Sequence, residues 1–125
     1  MARDFFDREI LPGDWVVFTI RSRFGDLTLS RVAEIRPPEY GGAARYTKIV
    51  VPYPAYHARS RRRTFRNKAF EGPRRMLVVD SVPRELDAIM DRCVEGNGSD
   101  EDATLLYAVM QNGLRAYYEV RGDNL

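Results

Sequence analysis

LPGDWVVFTI, residues 11–20, is the stretch on which the fold turns. Pro12-Gly13-Asp14 fixes one φ angle and frees the next, which is turn chemistry. Beyond the turn, Val16, Phe18 and Ile20 share one parity and Trp15, Val17 and Thr19 the other. Side chains alternate across a strand, so an apolar set on each parity predicts a strand with both faces at least partly covered.

Outward from there, RSRFGD reads as a hairpin connection with Gly25-Asp26 at its turn, and residues 27–35 as a second strand. Leu27, Leu29, Ala33 and Ile35 share a parity that Arg31 interrupts, which predicts a bulge near Ser30-Arg31 or a bend at a barrel edge. PPEYGGAAR is a loop by composition, and YTKIVVP, residues 46–52, a β-branched third strand closed by its proline.

Between Pro52 and the next apolar run, MLVVD at 76–80, lies a long basic insertion, 53–75. Loops of this length in compact domains are functional or disordered. Two local readings of it stand side by side. Ser60 caps a short helix over 61–70, or RTFRNKAF is one strand of an extended hairpin with Thr64, Arg66 and Lys68 outward and Phe65 inward.

After Ser81 the period becomes helical. Ser81 as N-cap, Pro83 in the first turn and the stripe Val82, Leu86, Ile89, Met90, Cys93 predict one helix, ended by EGNGS. Ser99 with Asp102 forms the short-acid variant of a capping box for a second, whose buried stripe is Leu105, Leu106, Val109 and Met110. The 3.6-residue period carries on through Leu114 and Tyr117, so this helix is expected to run past Gly113 to about residue 120, in preference to a terminal strand.

At 125 residues the chain has the length of one domain, and 44% apolar with 30% charged residues is a globular composition. The expected fold is α+β: an antiparallel β-rich part over 1–80 carrying the basic insertion, and a helical hairpin over 81–125 packed on it as one folding unit. The charge is unevenly spread. Residues 1–56 carry eight basic and seven acidic side chains, 57–79 eight and one, 80–125 four and ten, giving +1, +7 and −6. Either the acidic tail folds back on the basic tract, with Asp87, Asp91 and Glu95 as the receiving stripe, or the tract meets an anionic partner.

PGDWVVF followed by a hairpin and RVAEI resembles the opening of SH3-like small barrels of the KOW, Tudor and CarD type, over residues 11–52. That resemblance implies a small antiparallel barrel or curled sheet, and carries over no site residues. MazF-like toxins, which cleave RNA, also open with Gly-Asp and an apolar strand. Their pattern sends Arg-Pro directly into an apolar strand, whereas Arg36-Pro37-Pro38 here leads into a loop. The arginine-heavy texture, eighteen Arg to two Lys, is similar to that of small actinobacterial phage proteins.

Much chemistry is excluded. One histidine and one cysteine cannot make a His/Cys zinc site in one chain, and no phosphate-binding glycine loop or nucleophile elbow is present. Neither metal nor cofactor is expected. Cys93 reads as a buried thiol of a reducing compartment, and the short runs WVVF and MLVV with a charged MARDFFDREI start predict a cytoplasmic chain without signal or membrane span.

The leading expectation is a non-enzymatic module contacting nucleic acid, RNA or DNA, chiefly through the phosphate backbone. Its candidate residues are Arg59, Arg61, Arg62, Arg63, Arg66, Lys68, Arg74 and Arg75 for phosphates, with Tyr56 and Tyr53 for stacking, while Phe65 and Phe70 read as core anchors. The rival is an adaptor of phage type docking on a host or viral protein through Trp15 and Tyr118. A small ribonuclease using arginine and His57 ranks third.

Overall fold

The computed structural model describes residues 2–19, 27–38, 42–43, 46–57 and 62–122. The Gly25-Asp26 turn, Ser60, Arg59 and Arg61 lie outside the described residues. The elements are β1 (Trp15–Thr19), β2 (Leu27–Arg31), β3 (Glu34–Arg36), β4 (Lys48–His57), β5 (Arg62–Glu71), a 3-10 turn (Pro73–Arg75), β6 (Leu77–Val79), α1 (Arg84–Glu95), α2 (Asp100–Asn112) and α3 (Leu114–Arg121). The class is α+β: two three-stranded antiparallel sheets, in the orders β2-β1-β6 and β3-β4-β5, and three helices.

β1 has the two covered faces its alternation predicts. Val16 and Phe18 enter a core with Ile10, Val32, Ile49, Val51 and Met76, drawn from both sheets. Trp15 and Val17 face a second core, filled by Leu86, Ile89, Met90, Leu106, Val109 and Tyr117 of the helices. The break expected at Ser30-Arg31 lies just beyond, at Val32-Ala33. There the Val32 N–H donates to the carbonyl of Asp14, just before β1 of the first sheet, and the next N–H, of Ala33, donates to Val50 of the second. One residue carries the chain between sheets, as at corners where strands switch by a bend. Leu27, expected with the apolar set, stays exposed at the strand's start.

Residues 53–75 are not a long loop, and no helix forms over 62–70. β4 runs on through two prolines and pairs with β5 over ten rungs, from Lys48 opposite Glu71 to His57 opposite Arg62. The prolines are tolerated for a positional reason. The Val50 carbonyl accepts from Ala33 and the Pro52 carbonyl accepts from the buried Ser30 hydroxyl at 2.6 Å, so even-numbered backbone groups point away from β5. β3 stops at Glu34, opposite Val50, and therefore Pro52 and Pro54 sit where no ladder N–H is required. Phe65 points inward and Arg66 and Lys68 outward, as the hairpin reading has it.

α1 begins at Arg84, with Pro83 in the cap position; Ser81 makes no cap and adopts a left-handed backbone. The Ser99–Asp102 capping box forms in full, each side chain bonded to the other's backbone N–H. The helical pair of the sequence reading is three helices, because Gly113, at φ 78 and ψ −170, ends α2 and starts α3 at a new angle. Glycine alone takes that conformation without strain, and the turn brings Ala116 and Tyr117 into the helical core.

Two polar locks tie the layers. Asp4 has no exposed surface; its carboxylate accepts the N–H groups of Phe6, Arg8 and Val78 at 2.9–3.0 Å and the Arg8 Nε at 3.0 Å. Burial opposes its charge, but the Val78, Arg8 and Phe6 N–H groups with the Arg8 guanidinium outweigh it and hold the carboxyl below its ordinary value. Glu85 of α1 accepts from the Tyr117 hydroxyl at 2.6 Å and from Arg121, both on α3, and these bonds lower its pKa.

The α1–α2 turn is tight. A Cβ at Gly98 would lie 2.8 Å from the Cys93 sulfur and 3.2 Å from its Cα. Gly98→Ala is expected to lower stability by about 1–3 kcal/mol, the range for overpacking, read as a shifted urea midpoint at unchanged slope.

Candidate nucleic-acid interface

Beyond Val50, β4 and β5 continue as a two-stranded ribbon, and its register sorts the tract onto two faces. Arg63, Phe65, Asn67 and Ala69 line one face; Thr64, Arg66 and Lys68 line the other, with Val51, Tyr53 and Ala55 opposite them across the strand. The first face lies against the helices. Phe65 is buried in the helical core, and the Arg63 guanidinium sits 4.0 Å from the centroid of the Tyr107 ring of α2. That is cation–π stacking distance.

On the second face Arg66 stands exposed opposite Tyr53. Lys68, also exposed, holds its Nζ 4.9 Å from the Tyr53 ring and 5.5 Å from that of Phe70. At the base of the ribbon Arg74 pairs with Asp7 at 2.9 Å, both largely exposed. Arg75, beside it, pairs with no carboxylate among the described residues. Tyr56 and Arg62 are placed by their backbones in the last rungs, opposite Arg63 and His57.

The acidic tail is occupied elsewhere. Asp87 accepts from the Trp15 indole N–H at 3.0 Å and from Arg31 at 3.2 Å, and Asp91 accepts from the other Arg31 terminal nitrogen. Asp102 is held bidentate by Arg92 at 2.9 and 3.1 Å, which keeps its carboxyl below the ordinary value, and Glu119 pairs with Arg115. Asp87 and Asp91 of the stripe expected to receive the basic tract are thus engaged by Arg31 of β2 and by Trp15. Among the described residues Lys68 and Arg75 pair with none of Asp87, Asp91 and Glu95. Arg31 itself was signalled in the sequence as the residue breaking the apolar parity of β2.

Of the two aromatic anchors proposed for a protein partner, Trp15 is 4% exposed and belongs to the core, its indole satisfied by Asp87. Tyr118 is 40% exposed and lies edge-on to Tyr117. The sequence reading passed over a more exposed pair. Phe5 and Phe6, 67% and 65% exposed, stack edge to face at 5.3 Å on the loop that Asp4 locks to β6. Two adjacent phenylalanines within a charged segment were the available signal.

Cys93 is half-buried, and burial pushes its thiol up to about 11, so it is protonated and unreactive at neutral pH. The described residues hold no cluster of three His, Cys, Asp or Glu side chains arranged to bind a metal ion, and no helix among them is long and apolar enough to cross a membrane. Comparison of the chain with protein-family models, curated proteins and solved structures found no match.

Proposed function

We propose that the chain is a cytoplasmic, non-enzymatic module that grips nucleic acid through the basic ribbon β4–β5, chiefly by its phosphate backbone. The observation that carries this reading is the fate of the acidic stripe. Asp87 and Asp91 are engaged by Arg31 and Trp15, so they do not cancel the charge of the ribbon, on which Arg66 and Lys68 are exposed, with Arg75 at its base. The chain linking the two strands, 58–61, adds Arg59 and Arg61 by sequence. Guanidinium forks match phosphate oxygens in geometry, and a two-stranded ribbon is one of the two element shapes that fit a DNA major groove.

The SH3-like reading of the β part belongs with this proposal. Supporting it are two small sheets facing one core, a strand that switches sheet at Val32-Ala33, and a last strand, β6, that returns to pair with β1.

The test is a charge reversal at exposed positions. Lys68→Glu with Arg75→Glu is expected to weaken binding to a mixed-sequence duplex at low salt by at least about tenfold, since each substitution removes a phosphate contact and adds a repulsive charge. Unchanged affinity in a folded double variant would sink the proposal. The adaptor reading stays second, favoured by the exposed Phe5–Phe6 pair on its rigid loop, because interface hot spots are aromatic and preorganised. It takes over if no nucleic acid binds at low salt.

A further inference from the structure

Resting on that reading, a cleft between the ribbon and α2 narrows the class of nucleic acid. It has a volume of about 300 Å³, at the small end of the range in which proteins hold ligands. Tyr53 of β4 and Tyr107 of α2 are both among its lining residues, with the fully buried Met110. Thr28, Gln111 and Arg63 add a hydroxyl, an amide and a guanidinium. Flat apolar walls with mixed donors and acceptors match a heterocyclic base, whose faces stack and whose edges hydrogen-bond.

What connects the cleft to a polyanion is Lys68. Its Nζ lies 4.9 Å from the centroid of Tyr53, the ring that forms one wall. Arg63 is shared with a larger groove of about 690 Å³ that runs between β5 and the α1–α2 turn, whose lining includes Arg66 and also Asp100. A base in the cleft therefore has Arg63 in its lining and Lys68 beside Tyr53 as cations within reach of its flanking phosphates. A base within a duplex is paired and stacked, and cannot enter without being extruded.

We infer that this cleft is a nucleobase subsite, and that the ligand of the module is single-stranded nucleic acid with one unpaired base held in the cleft that Tyr53 and Tyr107 line. The phosphate grip alone does not require this, since it serves single and double strands alike.

Fluorescence anisotropy with labelled oligo-dT, oligo-dA and a blunt duplex of equal length, at one salt concentration, tests the inference. Gln111 is exposed at the rim of the cleft on the last turn of α2, so Gln111→Trp plugs the cleft without disturbing the core; Tyr53→Ala removes a wall. Duplex affinity serves as the internal control that each variant is folded. The wild-type chain is expected to bind at least one single strand about tenfold more tightly than the duplex. Each variant is expected to lose about that factor for the single strand while keeping its duplex affinity, the size of effect removal of one stacking contact produces. Equal affinity for strands and duplex, or single-strand binding indifferent to both variants, overturns the inference and leaves the phosphate grip standing. No binding of any of the three at low salt overturns the grip, and the subsite with it.

Discussion

Asp4→Ala should destabilise the fold by about 2–4 kcal/mol, because leaving one part-buried donor without its acceptor costs about 1–3 kcal/mol and Asp4 serves several. The carboxylate has no exposed surface and holds three backbone N–H groups and the Arg8 side chain. Its loss leaves buried donors unmatched, and an orphaned buried donor is more expensive than a bond is valuable. Set against the roughly 5–15 kcal/mol that holds a domain of this size together, that is a large share. Urea denaturation measures it, and a loss below about 1 kcal/mol would show that water replaces the carboxylate without penalty.

The same residue sets a pH dependence of definite sign. The folded-state pKa of Asp4 lies below its unfolded value of about 3.9. Its contribution is then complete above that value, and drains away as pH falls through the lower, folded-state value. The stability gap between the wild-type chain and Asp4→Asn is expected to be constant at neutral pH and to shrink below about pH 4. A gap that persists unchanged into strong acid would contradict the role given to the charge.

Phe65→Ala is the second large effect, about 3–5 kcal/mol by the cost of truncating a buried aromatic to alanine. Phe65 is, among the described residues, the ribbon side chain buried in the helical core, where β5 packs on α1 and α2. Its ring fastens one face of the ribbon, which leaves the opposite face, with Arg66 and Lys68, turned to solvent. Beyond the loss in global stability, amide exchange in β5 should accelerate selectively, since local opening precedes global unfolding where docking contacts are few. A change of under about 1 kcal/mol would mean that the ring is not a packed contact of the kind such truncations measure.

The parts of the fold that local chemistry encodes were legible in the sequence. Val16 and Phe18 against Trp15 and Val17 gave the doubly covered strand, and Ser99 with Asp102 gave the start of α2. What local pattern does not encode is pairing at a distance. YTKIVVP looked finished at Pro52 because a proline cannot serve a central ladder; that β3 has already ended opposite Val50 depends on a partner some fifteen residues upstream. Gly113 likewise looked like a tolerated interior glycine, since the periodicity of Leu114 and Tyr117 is the same whether the helix continues or restarts at a new angle.

The candidate site was legible in its residue types and not in its geometry. Arg63 and Arg66 are three apart in sequence and read as equivalent, yet strand alternation sends Arg63 onto Tyr107 and Arg66 to the opposite face. Trp15 read as a surface anchor because nothing local announced Asp87 as the acceptor for its indole. Arg31, by contrast, declared itself as a charge in an apolar stripe, and its use became clear only when α1 was seen to lay Asp87 and Asp91 over it.

The central claim is that Lys68 on the ribbon and Arg75 at its base stand ready for a polyanion and are not neutralised by the described carboxylates of the chain. Duplex affinity measured against salt tests it most directly. With about six phosphates engaged, log K is expected to fall with log salt at a slope near −5, and Lys68→Ala should reduce the steepness by about one contact's worth, roughly 0.9. A slope near zero, or one that Lys68→Ala leaves untouched, would contradict the claim.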